Sequence, residues 1–318
     1  MTARKQRMAD RHDRWDEGAV PEALRFEQLV FSGGGTRCFW HGGFAAVVGP
    51  AIHLRPERIA AVSGGALSSC AFIAGRERRL FEVMGEALRE RQSNVSLSWD
   101  EVQQNGLTPH QEMYREIVST TLDATAIKRI ADGPAFQVLL AHPPLAAAPK
   151  LSTVPMMMAY EADLALRSTP HVRAADTLGA NEALIDGNRA AREGRLIDLV
   201  CSAAVIPPVF NVQFWDGRPV IDGGMASKAP MPDPDEGRTL VLLTRRFRNL
   251  PDDRRRLYVQ PSKSVPADKI DFTSREKIEA TWQAGEEDGH AFLSSHGLES
   301  GAKVRPTSHP ADAAAGGQ

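Results

Sequence analysis

Ser63 ends a short apolar run, Ile59-Ala60-Ala61-Val62, and is followed at once by Gly64 and Gly65. The run predicts a strand, and the small, apolar stretch from Gly64 to Ala74 predicts a helix. A serine at the apex of a strand-to-helix elbow is placed for nucleophilic acyl chemistry. Strand and helix crowd together at such a turn, and Ala61, Gly64 and Gly65 are all small. A hydroxyl is a weak nucleophile at neutral pH, so it needs an adjacent base and donors for the oxyanion that follows. The competing reading is a Ser-Gly-Gly turn that merely caps a helix.

Donors are available upstream. Leu29-Val30-Phe31 leads into Ser32-Gly33-Gly34-Gly35-Thr36-Arg37, and a helix-like stretch runs from Phe39 to Val48. The backbone amides of Gly33, Gly34, Gly35, Thr36 and Arg37 can turn toward one point and form an oxyanion hole. Ser63 lies 28 residues beyond Gly35. A dinucleotide loop is the rival. Its G-x-G-x-x-G frame would place Gly33 and Gly35 but puts Cys38 where the last glycine belongs, and no acidic residue closes a second strand about 20 residues on. Arg37 either steadies the loop, attracts an anionic substrate, or is a plain surface arginine.

Asp222 is the candidate base. It follows Val220-Ile221 and precedes Gly223-Gly224, so a carboxylate sits at a strand end with the chain free to turn. Burial beside a hydroxyl would raise its pKa toward a useful value. The plain alternative is an Asp-Gly turn. Histidine is the usual base, and nine are present. His41, His53, His110 and His171 lie in or near other elements, whereas His290 and His296 fall late, where a hydrolase triad would place one.

The elements that must position these groups can be read along the chain. Residues 1–24 predict a polar arm, and strands fit Phe26–Ser32 and Arg58–Val62. Gly49-Pro50 is expected to stop the first helix. Residues 76–150 read as a helical insertion that could cover the site, with amphipathic patterns over Arg76–Arg91 and His110–Ile130 and a loop over Pro143–Pro149. Val154–Glu161 and His171–Arg173 suggest strands, and Arg189–Ala204 a helix. Val212–Trp215 and Pro219–Ile221 flank Asp216-Gly217, a hairpin signal. Thr239–Thr244 is a strongly apolar strand and Thr273–Gly289 a late helix. Residues 25–298 form one expected domain, and the Ala-, Gly- and Pro-rich tail over 299–318 predicts disorder. Strands alternating with helices imply an α/β fold: a mainly parallel sheet with helices on both faces and the site at strand carboxyl ends.

Taken together, the Gly-Gly-Gly-x-Arg turn, the Ser63 elbow, Asp222-Gly223-Gly224 and the preceding Ser202–Phe210 segment resemble the patatin-like phospholipases in order and spacing over roughly residues 26–245. The resemblance implies a three-layer α/β/α sandwich with a Ser-Asp dyad. Ser63 is then the nucleophile and Asp222 the general base. The turn at Gly33–Arg37 binds the oxyanion, and no histidine, metal or cofactor takes part. The implied reaction is hydrolysis of acyl esters in lipids through an acyl-enzyme. The chain departs from the family pattern at Ala61 and Cys38, where glycines are usual. Those departures motivate the alternative of a catalytically silent lipid-binding protein on the same fold.

Composition fits this reading. The 318 residues are 42% apolar and carry a formal net charge of −2, which points away from a nucleic-acid partner. No apolar h-region opens the chain and no apolar stretch approaches a membrane span, so a cytoplasmic, soluble protein is expected. Peripheral membrane contact through Arg245–Arg248 and Arg254–Arg256 is one reading of those basic runs, and a solvated loop is the other. Cys38, Cys70 and Cys201 have no metal-type spacing and read as buried free thiols. No protein partner can be named from the sequence.

Overall fold

The computed structural model describes residues 20–89, 107–143, 169–171, 181–207, 209–269 and 274–298. Its centre is a parallel sheet. β1 (Gln28–Phe31) pairs in parallel with β2 (Arg58–Val62) and β7 (Thr239–Leu242). β2 pairs in parallel with β3 (Ala135–His142), and β7 with β8 (Arg256–Val259). Beyond β3 the pairing turns antiparallel, to β4 (Asn181–Asp186) and to β6 (Arg218–Asp222), which itself carries β5 (Gln213–Trp215). The order is β5-β6-β3-β2-β1-β7-β8, with β4 also on β3.

Beyond their first residues, Gln28, Arg58 and Thr239, the central strands β1, β2 and β7 are buried and read as unbroken apolar runs rather than as alternation. Their side chains nonetheless divide by period two between the faces. Leu29, Phe31, Ile59, Ala61, Leu240 and Leu242 enter the larger core. Val30, Ala60, Val241 and Leu243 enter a smaller one with Ala229 and Phe247. Helices flank the sheet in the α/β/α arrangement. Two lead out of the site turns: α1 (Phe39–Ala51) and α2 (Gly64–Ala74). Next come α3 (Glu77–Arg89), α4 (Pro109–Thr121) and α5 (Ala124–Ala131). The last three are α6 (Gly187–Arg192), α7 (Leu196–Ala203) and α8 (Arg275–Ser295), of which α8 packs on α1. Trp40, Phe31, Phe44 and Phe136 are among the largest fully buried side chains. Each contributes about 1.5–3 kcal/mol by leaving water.

Several expectations are corrected. The stretch 76–150 is not helical throughout: Phe136–Ala141 is almost wholly buried within β3, a central strand. Its apolar run follows a helix so closely that it reads as part of the helical segment. Pro50 does not stop α1, because it sits in the last turn, where the helix ends one residue later. Arg189–Ala204 is two helices, broken at Gly194 with φ 73°. His110–Ile130 is likewise two, because Asp123 caps α5 by accepting from the Ala126 amide at 2.8 Å. α8 runs on to Ser295. Arg256 begins β8 and is paired with Asp235 at 2.6 Å, so this part of the second basic run is neutralised rather than solvated. The hairpin at Asp216-Gly217 is present, with φ 47° and 73°. Leu24, at the end of the expected polar arm, is buried in a short 3₁₀ turn. The proposed strand over 154–161, most of the loop over 143–149 and the tail over 299–318 lie outside the described residues. Among the described residues, no helix is long and apolar enough to cross a membrane.

Candidate active site

β3 acts as the ruler for the site. Leu139 registers with Val62, and the next residue, Leu140, registers with Asp222. The end of β2, which delivers Ser63, therefore meets the end of β6, which delivers Asp222. Asp222 is fixed further by its own amide, which donates to the Val205 carbonyl at 2.8 Å.

Ser63 sits at φ 56° and ψ −137°, a conformation that non-glycine residues rarely adopt. Such strain persists only where the surroundings enforce it. Here β2 and α2 do so, and Gly65 has no room for a side chain: a Cβ there would lie 2.5 Å from the Phe31 carbonyl oxygen. The Ser63 hydroxyl does not cap α2. It donates instead to Asp222 Oδ2 at 2.6 Å. Both residues are buried, at 3% and 1% exposure. The other carboxylate oxygen, Oδ1, accepts from the Gly224 amide at 2.7 Å, so one oxygen holds the turn while the other faces the serine. Burial pushes the Asp222 carboxyl above the usual aspartate range, opposed by the Lys269 cation and by the bonds from Ser63 and Gly224.

The glycine turn touches the elbow. A Cβ on Gly64 would lie 2.8 Å from the Gly35 carbonyl oxygen, and one on Gly33 would lie 3.1 Å from Ser63 Cβ. Of the five amides expected to face the oxyanion, two are already engaged. Gly33 N–H donates to the Lys228 carbonyl at 3.0 Å, and Arg37 N–H donates to Gly34 O at 3.2 Å. Of the other three residues, Gly35 and Thr36 share a cavity lining with Ser63, and Gly34 does not. The Thr36 hydroxyl and the Arg37 guanidinium are bonded to the carbonyls of Asp268 and Ala267, so residues 267–269 lie against the turn. Arg37 thus steadies the loop, one of its expected roles.

An apolar cleft opens onto Ser63, with about 890 Å³ of empty space including its open end. Leu67 and Phe72 of α2, Leu80 and Met84 of α3, Tyr114 of α4 and Phe210 line it. The amphipathic helices α3 and α4 therefore contribute walls of the cleft. Sequence reasoning singled out Ile206–Phe210 only as a family-like segment, and here Ile206, Val209 and Phe210 face the cleft. It missed Lys269, which lines the cleft from far along the chain and carries no motif.

The two departures from the family pattern are absorbed by packing. Ala61 is fully buried in the larger core. Cys38 Sγ lies 3.6 Å from the Ser32 carbonyl. Burial, the largest influence, raises the Cys38 and Cys70 thiols far above the ordinary range and pushes Cys201 up to about 12. We expect a charged thiol reagent at pH 8 to leave Cys38 and Cys70 unmodified in the native protein. The same reagent should count three thiols in denaturant. Rapid native labelling of Cys38, read by mass spectrometry, would refute its burial.

No histidine is hydrogen-bonded to Ser63 or Asp222 among the described residues. His41 is buried against the Leu242 carbonyl at 3.2 Å, and burial pulls its pKa down to about 3. His290 is on the exposed face of α8, and His296 bonds the Phe292 carbonyl. Among the described residues, no group of three or more His, Cys, Asp or Glu side chains could hold a metal ion.

A search of curated proteins found no match to this chain. The family model for patatin-like phospholipases matches residues 29–235, a span that begins in β1, takes in the Gly33–Arg37 turn and the Ser63 elbow, and runs past Asp222. The chain belongs to the patatin-like phospholipase family.

Proposed function

We propose that the protein is a lipid acyl hydrolase that cleaves acyl esters through Ser63 and Asp222. The observation that carries this reading is the 2.6 Å bond to a buried carboxylate from a strained, buried elbow serine that lines an apolar cleft. As Ser63 Oγ attacks the ester carbonyl, its proton passes to Asp222 Oδ2. The oxyanion faces the amides of Gly35 and Thr36, which line the cleft beside Ser63. Asp222 returns the proton to the leaving alcohol, which leaves an acyl-enzyme at Ser63. Water then attacks the acyl carbon and gives a proton to Asp222 Oδ2, which passes it to Ser63 Oγ as the acyl–oxygen bond breaks and the carboxylic acid departs. A raised Asp222 pKa makes the carboxylate a stronger base than an exposed one. The apolar walls exclude water and hold the acyl chain, each buried methylene contributing about 0.8 kcal/mol. Contact with a lipid surface, and a cytoplasmic location, belong to the same proposal.

The direct test is a fluorophosphonate probe together with hydrolysis of phospholipid vesicles and of short-chain nitrophenyl esters. One equivalent of label on Ser63 and ester release are expected. A folded protein that neither labels nor hydrolyses would support the silent lipid-binding alternative instead.

Gly35 offers a second test. Its φ is +59°, and a Cβ there would lie 1.8 Å from the Lys269 carbonyl oxygen. In Gly35→Ala the turn and the 267–269 segment must move apart. We expect a loss of about 1–3 kcal/mol from backbone strain and about 100-fold in kcat from a displaced oxyanion donor. Thermal melts and ester assays check both. Wild-type kcat in a destabilised variant would remove Gly35 from the oxyanion hole.

A further inference from the structure

Among the described residues, two buried polar atoms without a hydrogen-bond partner belong to side chains that line the Ser63 cleft: the Tyr114 hydroxyl and His41 Nδ1. Tyr114 is only 6% exposed, and His41 is fully buried. An unpaired buried polar atom is costly and rare, so two on one cleft call for a reason.

Tyr114 stands on α4 with its ring tilted against Phe210, 6.1 Å between centroids. It belongs both to the cleft and to a smaller neighbouring cavity lined by Gln111, Arg115 and Gln213. The polar groups of that smaller cavity are engaged elsewhere. Gln111 Oε1 accepts from the amides of Thr108 and Asn211, and its Nε2 donates to the Asn211 carbonyl. Arg115 pairs with Asp198 at 2.6 Å. The phenol thus has no partner on that side, and the cleft is where one can reach it. Burial, and after it the Cys201, Cys38 and Cys70 sulfurs and the Asp222 carboxylate, raise its pKa well above the ordinary tyrosine value. The phenol therefore stays protonated and able to donate. His41 shows the complementary need. Its Nε2 faces the Leu242 carbonyl at 3.2 Å. A carbonyl only accepts, so that nitrogen carries the proton and Nδ1 is left as a bare acceptor. A hydroxyl both donates and accepts, so this small neutral group suits either atom. An oxo group suits only the phenol, and a methylene suits neither.

We propose that Tyr114 is a specificity-determining residue that selects acyl chains bearing a hydroxyl group, its phenol O–H donating to the oxygen of that hydroxyl. The substrate class is then a hydroxyacyl ester rather than a plain alkanoyl ester. In an apolar cleft a chain hydroxyl normally weakens binding, because it gives up water without a replacement. A donor waiting on the wall reverses that sign. For esters, this inference rests on the hydrolase reading above and narrows it. For binding alone, it stands apart from it.

The test therefore begins with ligands that need no turnover. N-methyl amides of a medium-chain fatty acid keep the carbonyl and resist hydrolysis, and a series moves one hydroxyl from the β carbon to the chain end. Calorimetry on the full chain should find one position bound roughly tenfold tighter than the unsubstituted amide. Tyr114→Phe removes only the hydroxyl and should abolish that preference. It should melt no lower than the wild type, since the lost O–H has no bond within the protein. A wild type that binds no hydroxylated amide better than the plain one would mean that water suffices for the phenol, and overturns the proposal whether or not the variant folds. A preference that survives in folded Tyr114→Phe overturns it as well.

Nitrophenyl esters of the same chains then separate the two readings. The ratio of kcat/KM for the hydroxylated over the plain ester should fall roughly tenfold in Tyr114→Phe. A protein that prefers hydroxylated amides yet hydrolyses no ester keeps this site and defeats the hydrolase reading. Hydrolysis of both esters alike, with no preference among the amides, keeps the hydrolase and removes this role from Tyr114.

Discussion

Ser63→Ala is expected to lower ester hydrolysis by roughly 10⁴- to 10⁶-fold, the loss seen when an activated nucleophile is removed. The backbone strain at φ 56° is unchanged, since alanine tolerates that region no better than serine. What changes is Asp222, whose Oδ2 loses the donor it holds at 2.6 Å. That bond favours the ionised carboxylate. Its loss raises the Asp222 pKa further and leaves a buried charge less satisfied, at a cost of about 1–3 kcal/mol while it stays ionised. The variant should therefore melt below the wild type at pH 8 and approach it at acid pH, where the carboxyl is protonated in both. Ser63→Gly separates the two effects. It should be equally inactive yet more stable than Ser63→Ala, because glycine accepts a positive φ. Undiminished hydrolysis by Ser63→Ala would remove Ser63 from the chemistry outright.

The parts of the site that could be read from sequence are those whose geometry is local. A strand, a serine and two glycines encode the elbow, and Arg58–Val62 and Gly64–Ala74 form the strand and helix that the pattern predicts. The same holds for Asp222 at the end of an apolar strand. Properties that depend on distant partners were not legible. The Gly33 amide looked available because its acceptor, the Lys228 carbonyl, lies in a loop far along the chain. β3 was hidden because its apolar run directly follows α5, yet it is the strand that brings Ser63 and Asp222 into register. β4 is half-exposed and carries no strong alternation. Arg37, Lys228, Arg245 and Lys269 come from four separate segments to line one cavity, and of them only Arg37 belongs to a motif legible in the sequence. Seen along the chain, Arg245 and its neighbours read as a basic run that either meets a membrane or lies in a solvated loop. In the folded protein, Arg245 also lines that cavity.

Asp222→Asn should reduce kcat/KM by about 10²- to 10⁴-fold, the usual contribution of a general base, and should at the same time make the protein more stable at neutral pH. The amide can still accept from Gly224 through Oδ1, but it offers Ser63 no base. The stability gain follows from the sign of the pKa shift. Burial raises the folded-state pKa of Asp222 above its unfolded value. The wild type therefore has its full stability below the unfolded pKa, and loses part of it as pH rises through the window up to the folded pKa. Asparagine does not titrate, so the variant escapes this loss. The difference in melting temperature should be small in acid and grow to a plateau above the folded pKa, with each unit of elevation corresponding to about 1.4 kcal/mol. The wild-type activity profile should register the same group, since only the ionised carboxylate can take the Ser63 proton. Its acid limb should lie above the ordinary aspartate range and coincide with the onset of that plateau. Lys269, which pulls the Asp222 pKa down, sets where the limb falls, so Lys269→Met should move it to higher pH. A pH-independent difference in melting temperature, with an acid limb at an ordinary aspartate pKa, would mean that Asp222 is solvated in the working enzyme. The buried dyad would then be the wrong description of its base.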